Sequence, residues 1–363
     1  MVVPAAAIST GAGAAARASA PAPPSQAPGA PKTKSRGPVR TWARRIGSAL
    51  AIAISVYLIW IVALLSYAAL SLHQIEALSP QPIADTSGQV WLLVGSDSRE
   101  ELTPEQQKEL HTGGDVGQRT DTIMLAYMRP GEVPQLVSLP RDSWVTIPAH
   151  TSSSGAAVGA SQDKINAAFA YGGAPLLSET VEYNTGLHID HYLEISMYGV
   201  VALTDAVGGI EVCFEEAIHD EKSGLDVEAG CQILDGEEAL AWVRMRYSDP
   251  KGDLGRIERQ QEFVALIMEE ILSWQTLINP LRQLDIVNAV LDSVLVDLKT
   301  GAINLGRFGL GVGRIVAGSG EVSTVPLIPG NHVEGGQSVV KWDTQEADEL
   351  FASMGASTPQ ASG

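Results

Sequence analysis

Four short stretches carry side chains suited to the chemistry of an anion. They are "VGSDSRE" with Asp97 and Arg99, "GQRTDT" with Arg119 and Asp121, "SLPRDSW" with Arg141 and Asp142, and "VRMRYSDPKGDLGRIERQ", residues 243–260, with Arg244, Arg246, Arg256 and Arg259. Arginine keeps its charge at any working pH and offers a fork of donors that matches two oxygens at once. Gathered arginines therefore suit a phosphate better than they suit acid–base work. Asp97 and Asp121 suggest a second element. Two carboxylates brought side by side resist ionising together, and a divalent cation removes that cost. Hard oxygen donors with an incomplete shell suit Mg2+, with Mn2+ as its substitute. The same two aspartates could instead cap turns, and Arg141 with Asp142 could form a local ion pair.

Those stretches sit at the ends of recognisable elements. "QVWLLVG" is an apolar run ending in Gly95 and reads as a strand buried on both faces, which puts Asp97 just past its carboxyl end. "TIMLAYM" and "PQLVSLP" read as two further strands separated by a Pro-Gly turn. If the first two pair antiparallel, Asp97 and Asp121 meet. Downstream, "KINAAFAYGG" and "APLLSETVEYNTG" read as helices, "HYLEIS" as a strand, "MYGVVALTDAVGG" as a helix and "GIEVCF" as a strand. "DGEEALAWVRMR" opens with an Asp cap and acidic residues, a strong helix start. Residues 256–297 carry helical periodicity broken at Pro280, with Phe263, Ile267, Ile271 and Trp274 on one face. "EVSTVPLIPG" is a late strand and "DTQEADELFASM" a last helix. This alternation predicts the α/β class, with helices on both faces of a mixed sheet. Arg256, Arg259 and Gln260 open a helix, where a positive side chain opposes the dipole unless an anion lies there too.

The rest of the chain sharpens the contrast. Seven of its 24 lysines and arginines, and none of its 42 acidic residues, precede residue 46, which leaves the remainder at net −25. Residues 1–45 are rich in Ala, Pro, Gly and Ser and read as a disordered basic tail. Ile46 to Leu72 is a run of 27 residues without a charge, longer than the roughly 20 that cross a bilayer and too long for a signal peptide. "RTWARR" precedes it and no Lys or Arg follows until Arg99, so the positive-inside rule places the N-terminus in the cytoplasm and the large domain outside the membrane. The expected organisation is a tail (1–45), a transmembrane helix (46–72), a linker (73–88), an extracytoplasmic domain (89–354) and a disordered end (355–363). Cys213 and Cys231, an even pair in such a compartment, are expected to form a disulfide, worth about 3 kcal/mol in the chain-entropy model.

Taken in order, "LLVGSDSR", "RTDTIML", "SLPRDSWV", "KINAAFAYGG", "VGGIEV" and "LDGEEALAWVRMRYSDPKGDLGRIERQQ" resemble the LytR-CpsA-Psr family from residue 89 to about 275. The resemblance implies an α/β/α sandwich with a mixed central sheet and an apolar pocket for a polyprenyl chain. It also implies a phosphotransferase that moves a glycopolymer from a polyprenyl diphosphate carrier onto a peptidoglycan sugar hydroxyl. On this reading Asp97 and Asp121 hold Mg2+. Arg99, Arg119, Arg141, Arg244, Arg246, Arg256 and Gln260 line the diphosphate, and Lys164 follows on a looser match. Asp97, Asp121 and Arg141 are the candidate catalytic residues, with one of the carboxylates as base. "FVALIMEEILSW" and "IVNAVLDSVLVDL" are candidates for the lipid wall. The connection of residues 100–118 is longer than the family leads one to expect, and reads as a lid or an insertion.

The expected partners are the carrier-linked glycopolymer, peptidoglycan and membrane lipid. The Ala-, Gly- and Pro-rich composition points to a GC-rich, actinobacterial genome, for which the polymer would be arabinogalactan; teichoic acid and capsule stay open. A polyprenyl diphosphate hydrolase and a non-catalytic lipid-binding envelope protein are the alternatives, since the same residues serve all three. Net −25 beyond the span argues against nucleic acid. No GxSxG elbow supports a serine hydrolase, and "GLGVG" at residues 309–313 does not complete a dinucleotide motif.

Overall fold

The computed structural model describes residues 38–96, 120–152, 154–245 and 253–356. Residues 1–55 and 56–363 are two separate units. One long helix, α1 (Pro38–Ser71), contains the uncharged run. Its stretch Trp42–Ser71 is long and apolar enough to cross a membrane, and it fits a single-pass anchor. Strand β1 (His73–Ile75) follows at once, inside the stretch expected as a linker.

The domain is built on a mixed seven-stranded sheet. Its remaining strands are β2 (Gln89–Ser96), β3 (Thr120–Met128), β4 (Gln135–Ser138), β5 (His191–Ser196), β6 (Val294–Asp297) and β7 (Glu321–Thr324). Their order across the sheet is β1-β6-β5-β2-β3-β4-β7. β2 and β5 run parallel at its centre, and β3 lies antiparallel to β2 on the other side. Both faces of the centre are buried, as the unbroken apolar run of β2 requires. Val90, Leu92, Val94, Ile123 and Leu125 pack toward α2 (Ile165–Thr185), with Leu177 and Val181. Trp91, Leu93, Met124 and Ala126 face the opposite way, toward Phe308 and Ile315. Helices thus cover both faces, giving the three layers expected.

Most elements fall where the residue pattern places them. The two helices expected over residues 164–186 both form within α2; they meet at the non-helical Gly172 and Gly173, and the second is closed by a left-handed Gly186. α3 (Met197–Val207) follows β5 directly. α4 (Gly236–Arg244) starts with a full capping box between Asp235 and Glu238. Its first residue must be glycine, because a Cβ there would lie 2.6 Å from the Val201 carbonyl. α5 (Asp253–Leu272), α6 (Trp274–Ile278) and α7 (Pro280–Ser293) follow, with Pro280 opening α7.

One reading is corrected. The helical periodicity assigned through residue 297 stops at Ser293, and Val294–Asp297 is strand β6, inserted between β1 and β5. A run of three apolar residues fits helix or buried strand equally well, and its two valines favour the strand. "GLGVG" lies on α8 (Ala302–Arg314). A Cβ on Gly311 would strike the Met128 side chain of β3. The glycine there serves close packing of helix on sheet.

A disulfide joins Cys213 to Cys231 across the antiparallel ribbon Ile210–Phe214 and Gly230–Leu234. At the end of the sheet where β2 and β5 begin, polar groups lock the strands. Burial pushes the Asp297 carboxyl up, but bonds from His191, Thr300 and the Tyr192 and Lys299 amides outweigh it, and its pKa falls.

At the same end, His188 Nδ1 lies 2.8 Å from Oε1 of the buried Glu182. That bond lifts His188 above the ordinary histidine value, against the opposing effect of burial. A group raised in the folded state stabilises fully below its unfolded pKa, about 6.5, and loses that contribution as pH rises through the folded value. Urea unfolding of the wild type should therefore lose more stability as pH rises above about 6.5 than that of His188→Gln. Identical pH dependence in the two proteins would remove this role from the pair.

Candidate active site

The site forms where β2 and β5 end. In the β2–β3 pairing Ser96 stands opposite Thr120, with an irregularity between Gly95 and Ser96. The backbone therefore carries position 121 next to the end of β2, and residue 97 follows Ser96 directly. β4, antiparallel to β3, ends at the same edge and delivers Leu139, Pro140 and Arg141 there. Open α/β sheets collect ligands at this edge.

From here a cavity of about 570 Å³ runs between the sheet and the helices. Leu93, Met124, Leu193 and Ile195 form its floor, and Phe263, Val264, Ile267 and Ile271 of α5 form a wall. Ile286 and Val290 of α7 and Leu305 and Phe308 of α8 close it. The two apolar segments expected to form a lipid wall contribute, except that Val294, the last of them to reach the cavity, belongs to a strand.

The mouth is different. Arg141, Arg244, Arg256 and Gln260 all line it, together with Ser96, Thr122 and Ser196 at the strand ends. Arg141, Arg256 and Gln260 also line a smaller cleft against Ser138 and Leu139. Arg244 comes from the last turn of α4, and Arg256 and Gln260 come from the first two turns of α5, so helix ends bring the guanidinium groups together. Arg256 is only 6% exposed. Its fixed charge is thus held at the cavity with little exposure to water.

The fourth arginine of the stretch 243–260 has another task. Arg259 is buried, donates through Nε to the Trp242 carbonyl at 3.1 Å and through its terminal nitrogen to the Met245 carbonyl. These carbonyls lie at the C-terminal end of α4, where the Trp242 carbonyl also accepts from the Met245 N–H. Arg259 thus fixes the turn from which Arg244 projects. Gln261 plays a similar part, donating to Ser138 Oγ at 2.8 Å and to the Ser323 carbonyl, which pins α5 to the ends of β4 and β7. Neither role shows in the sequence, where both residues are simply polar positions near a helix start.

Lys164 does not line the cavity. It pairs with Asp142 at 2.7 Å, and Arg141 Nε lies 3.6 Å from the same carboxylate. Lys164 therefore balances Asp142 behind Arg141. Asp220, Lys222 and Ser223 line the cavity from a small ribbon that the residue pattern did not single out. The charged turn "DEKSG" was its only signal. Asp97, Arg99, Arg119, Arg246 and the connection 100–118 lie outside the described residues, and only the backbone of Asp121 is described.

The strand pairing brings position 121 to the edge where β2 ends. Asp97 and Asp121 are both carboxylates, the hard oxygen donors that Mg2+ takes. Among the described residues the one group of three ligands within reach of a metal is Asp85, His188 and Asp190, at the opposite end of β2.

The α/β/α domain thus holds an apolar cavity that meets Arg141, Arg244 and Arg256 at one end. The chain belongs to the LytR_cpsA_psr family, whose model matches residues 66–355. It is 41% identical over 306 residues to the "Probable cell wall biosynthesis protein LcpB" of Corynebacterium glutamicum, covering 84% of this chain and 69% of that protein. It is 40% identical over 181 residues to the polyisoprenyl-teichoic acid–peptidoglycan teichoic acid transferase TagU of Enterococcus faecalis, covering 50% of this chain and 55% of that one. The chain thus spans about half the length of the second relative. Among solved structures, the LytR-Csp2A-Psr enzyme from Actinomyces oris shares the fold, with a TM-score of 0.59 at 23% identity over 80% of this chain and 97% of that one.

Losing Arg259 should loosen the fold rather than the mouth alone. Arg259→Met removes the donor to the Met245 carbonyl and one of two donors to the Trp242 carbonyl, and should lower stability by about 1–3 kcal/mol in denaturant unfolding. Arg259→Lys should recover little, since a lysine lacks the fork. An unchanged midpoint in the Met variant would contradict the clasp.

Proposed function

We propose that the chain is a cell-envelope phosphotransferase. It moves a glycopolymer from a polyprenyl diphosphate carrier onto a sugar hydroxyl of peptidoglycan. The observation that carries this reading is the joining of an apolar cavity to the guanidinium groups of Arg141, Arg244 and Arg256 at one mouth. A polyprenyl diphosphate has the same two parts. The names of the relatives support a transferase acting on wall polymers.

In this reading the prenyl chain lies in the cavity and the diphosphate lies at the mouth. The acceptor oxygen attacks the sugar-side phosphorus. A new O–P bond forms, the bridging P–O bond breaks, and polyprenyl phosphate leaves with the bonding electrons. The acceptor proton passes to a carboxylate, Asp97 or Asp121. Phosphoryl transfer depends chiefly on positioning and charge neutralisation, which permanent guanidinium charges supply without proton exchange. Asp97 and Asp121 would hold Mg2+, which adds positive charge against the diphosphate oxygens when bound. Arg99, Arg119 and Arg246 would complete the ring.

The domain lies outside the cytoplasmic membrane, with the N-terminus inside. The basic flank before α1 supports this orientation, as does the disulfide, which persists in oxidising compartments.

The test uses the purified full chain, a short polyprenyl diphosphate sugar and peptidoglycan, with Mg2+ or with chelator. Transfer should require metal and fall by about 100-fold or more in Arg256→Met and in Asp121→Ala, the scale of losing one charge-stabilising group. Tight binding of the donor without turnover, unchanged in both variants, would sink the enzyme and favour a lipid-binding protein. Release of sugar phosphate to water with no transfer to peptidoglycan would favour a hydrolase.

A further inference from the structure

The short α6 and the turns around it form an elbow between α5 and α7. From Ile271 to Leu281 the elbow carries no charged residue. It leaves large apolar side chains in the open: Trp274 is 68% exposed, Ile278 65% and Leu281 72%, with Leu272 and Leu277 beside them. Such a contiguous apolar surface calls for a partner.

The elbow is attached to the anchor helix. The Tyr57 hydroxyl donates to the Leu277 carbonyl and accepts from Gln283 Nε2 at 3.1 Å. Trp60 Nε1 donates to Gln283 Oε1 at 2.9 Å. Further along, Tyr67 bonds Asn288 and His73 bonds the Leu291 carbonyl. α7 and the end of α1 therefore rise side by side, with the elbow at the low end.

The sequence sets the depth of that low end. The uncharged run is residues 46–72, and a hydrocarbon core of about 30 Å takes roughly 20 of them. Every 20-residue window within the run, an approximate span length, contains residues 53–65. Tyr57 and Trp60 thus lie inside the hydrocarbon in every register. Even in the shallowest, Tyr57 is eight positions below the upper limit, about 12 Å at the helical rise. The groups bonded to Tyr57 and Trp60 share their depth. The hydrogen bonding agrees: lipid offers no partner to a hydroxyl, an indole N–H or an amide. Here Gln283 also satisfies the carbonyls of Thr276 and Leu277. The charges nearest the elbow, Glu270 and Arg282, pair with each other at 3.2 Å.

We propose that the elbow Leu272–Leu281 is inserted among the acyl chains of the leaflet facing the domain. It is a second membrane contact beside the anchor helix. The elbow joins the two helices that give the cavity Ile267, Ile271, Ile286 and Val290. The wall of the cavity is then continuous with lipid, and an apolar chain passes between bilayer and cavity without crossing water. The inference rests on α1 as a membrane anchor and is independent of the transfer chemistry.

The test is spin-label depth measurement on the full chain in phosphatidylglycerol–phosphatidylcholine vesicles. Nitroxides are placed one at a time at Ile278→Cys in the elbow, Leu58→Cys on the anchor and Val333→Cys on a distant hairpin, all exposed positions. Collisions with oxygen and with a water-soluble nickel chelate are compared. Ile278→Cys should match Leu58→Cys, favouring oxygen several-fold over the value at Val333→Cys. If Ile278→Cys matches Val333→Cys while Leu58→Cys reads lipid, the elbow is in water and the proposal falls, leaving the anchor. If Leu58→Cys itself reads water, the anchor falls and the elbow with it.

Discussion

A guanidinium group cannot surrender its proton, so each arginine carried to the edge of an apolar cavity must be held by oxygen atoms. That requirement organises the domain. Arg259 is held by the carbonyls at the end of α4, and by holding them it sets the place of Arg244. Gln261 ties the same helix to the sheet, and with it Arg256 and Gln260. The result is a mouth where Arg141, Arg244 and Arg256 meet at the end of an apolar cavity. The central strands β2 and β5 are the rigid base on which this rests, since their ends present Gly95, Ser96 and Ser196 at the mouth.

Charge and apolar surface are separated along one axis. Toward the strand ends the site is basic in a domain that is strongly acidic. Away from them it is lined by aliphatic and aromatic side chains that continue, through α5 and α7, to the elbow beside the anchor helix. An amphiphilic donor that begins in a bilayer and reacts at its head group needs this order of surfaces. The early strand β1, which follows α1 after a single residue, leaves little slack between anchor and sheet.

Much of this was legible in the sequence, for physical reasons. The centre of the sheet consists of strands buried on both faces, and unbroken apolar runs such as "QVWLLVG" advertise that. Asp235 and Glu238 announced α4 through the chemistry of helix ends. Other features were hidden. Val294–Asp297 reads as helix because three apolar residues carry no period of their own. The strand Ser161–Lys164, "SQDK", is polar and was invisible to hydropathy. Arg256 and Arg259 are three positions apart on one helix, and nothing in the sequence says that one faces the cavity while the other clasps a neighbour. Lys164 pairs with Asp142, a contact between distant positions that no local pattern encodes.

The central claim is that cavity and arginine mouth act together on a single molecule. Calorimetric titration of the full chain with a prenyl diphosphate, the matching prenyl alcohol and inorganic diphosphate tests it most directly. The expected result is that the prenyl diphosphate binds far more tightly than either fragment, and that added salt weakens it and inorganic diphosphate but not the alcohol. Equal affinity for the prenyl diphosphate and the alcohol would show that the arginines take no part in binding, and would contradict the claim.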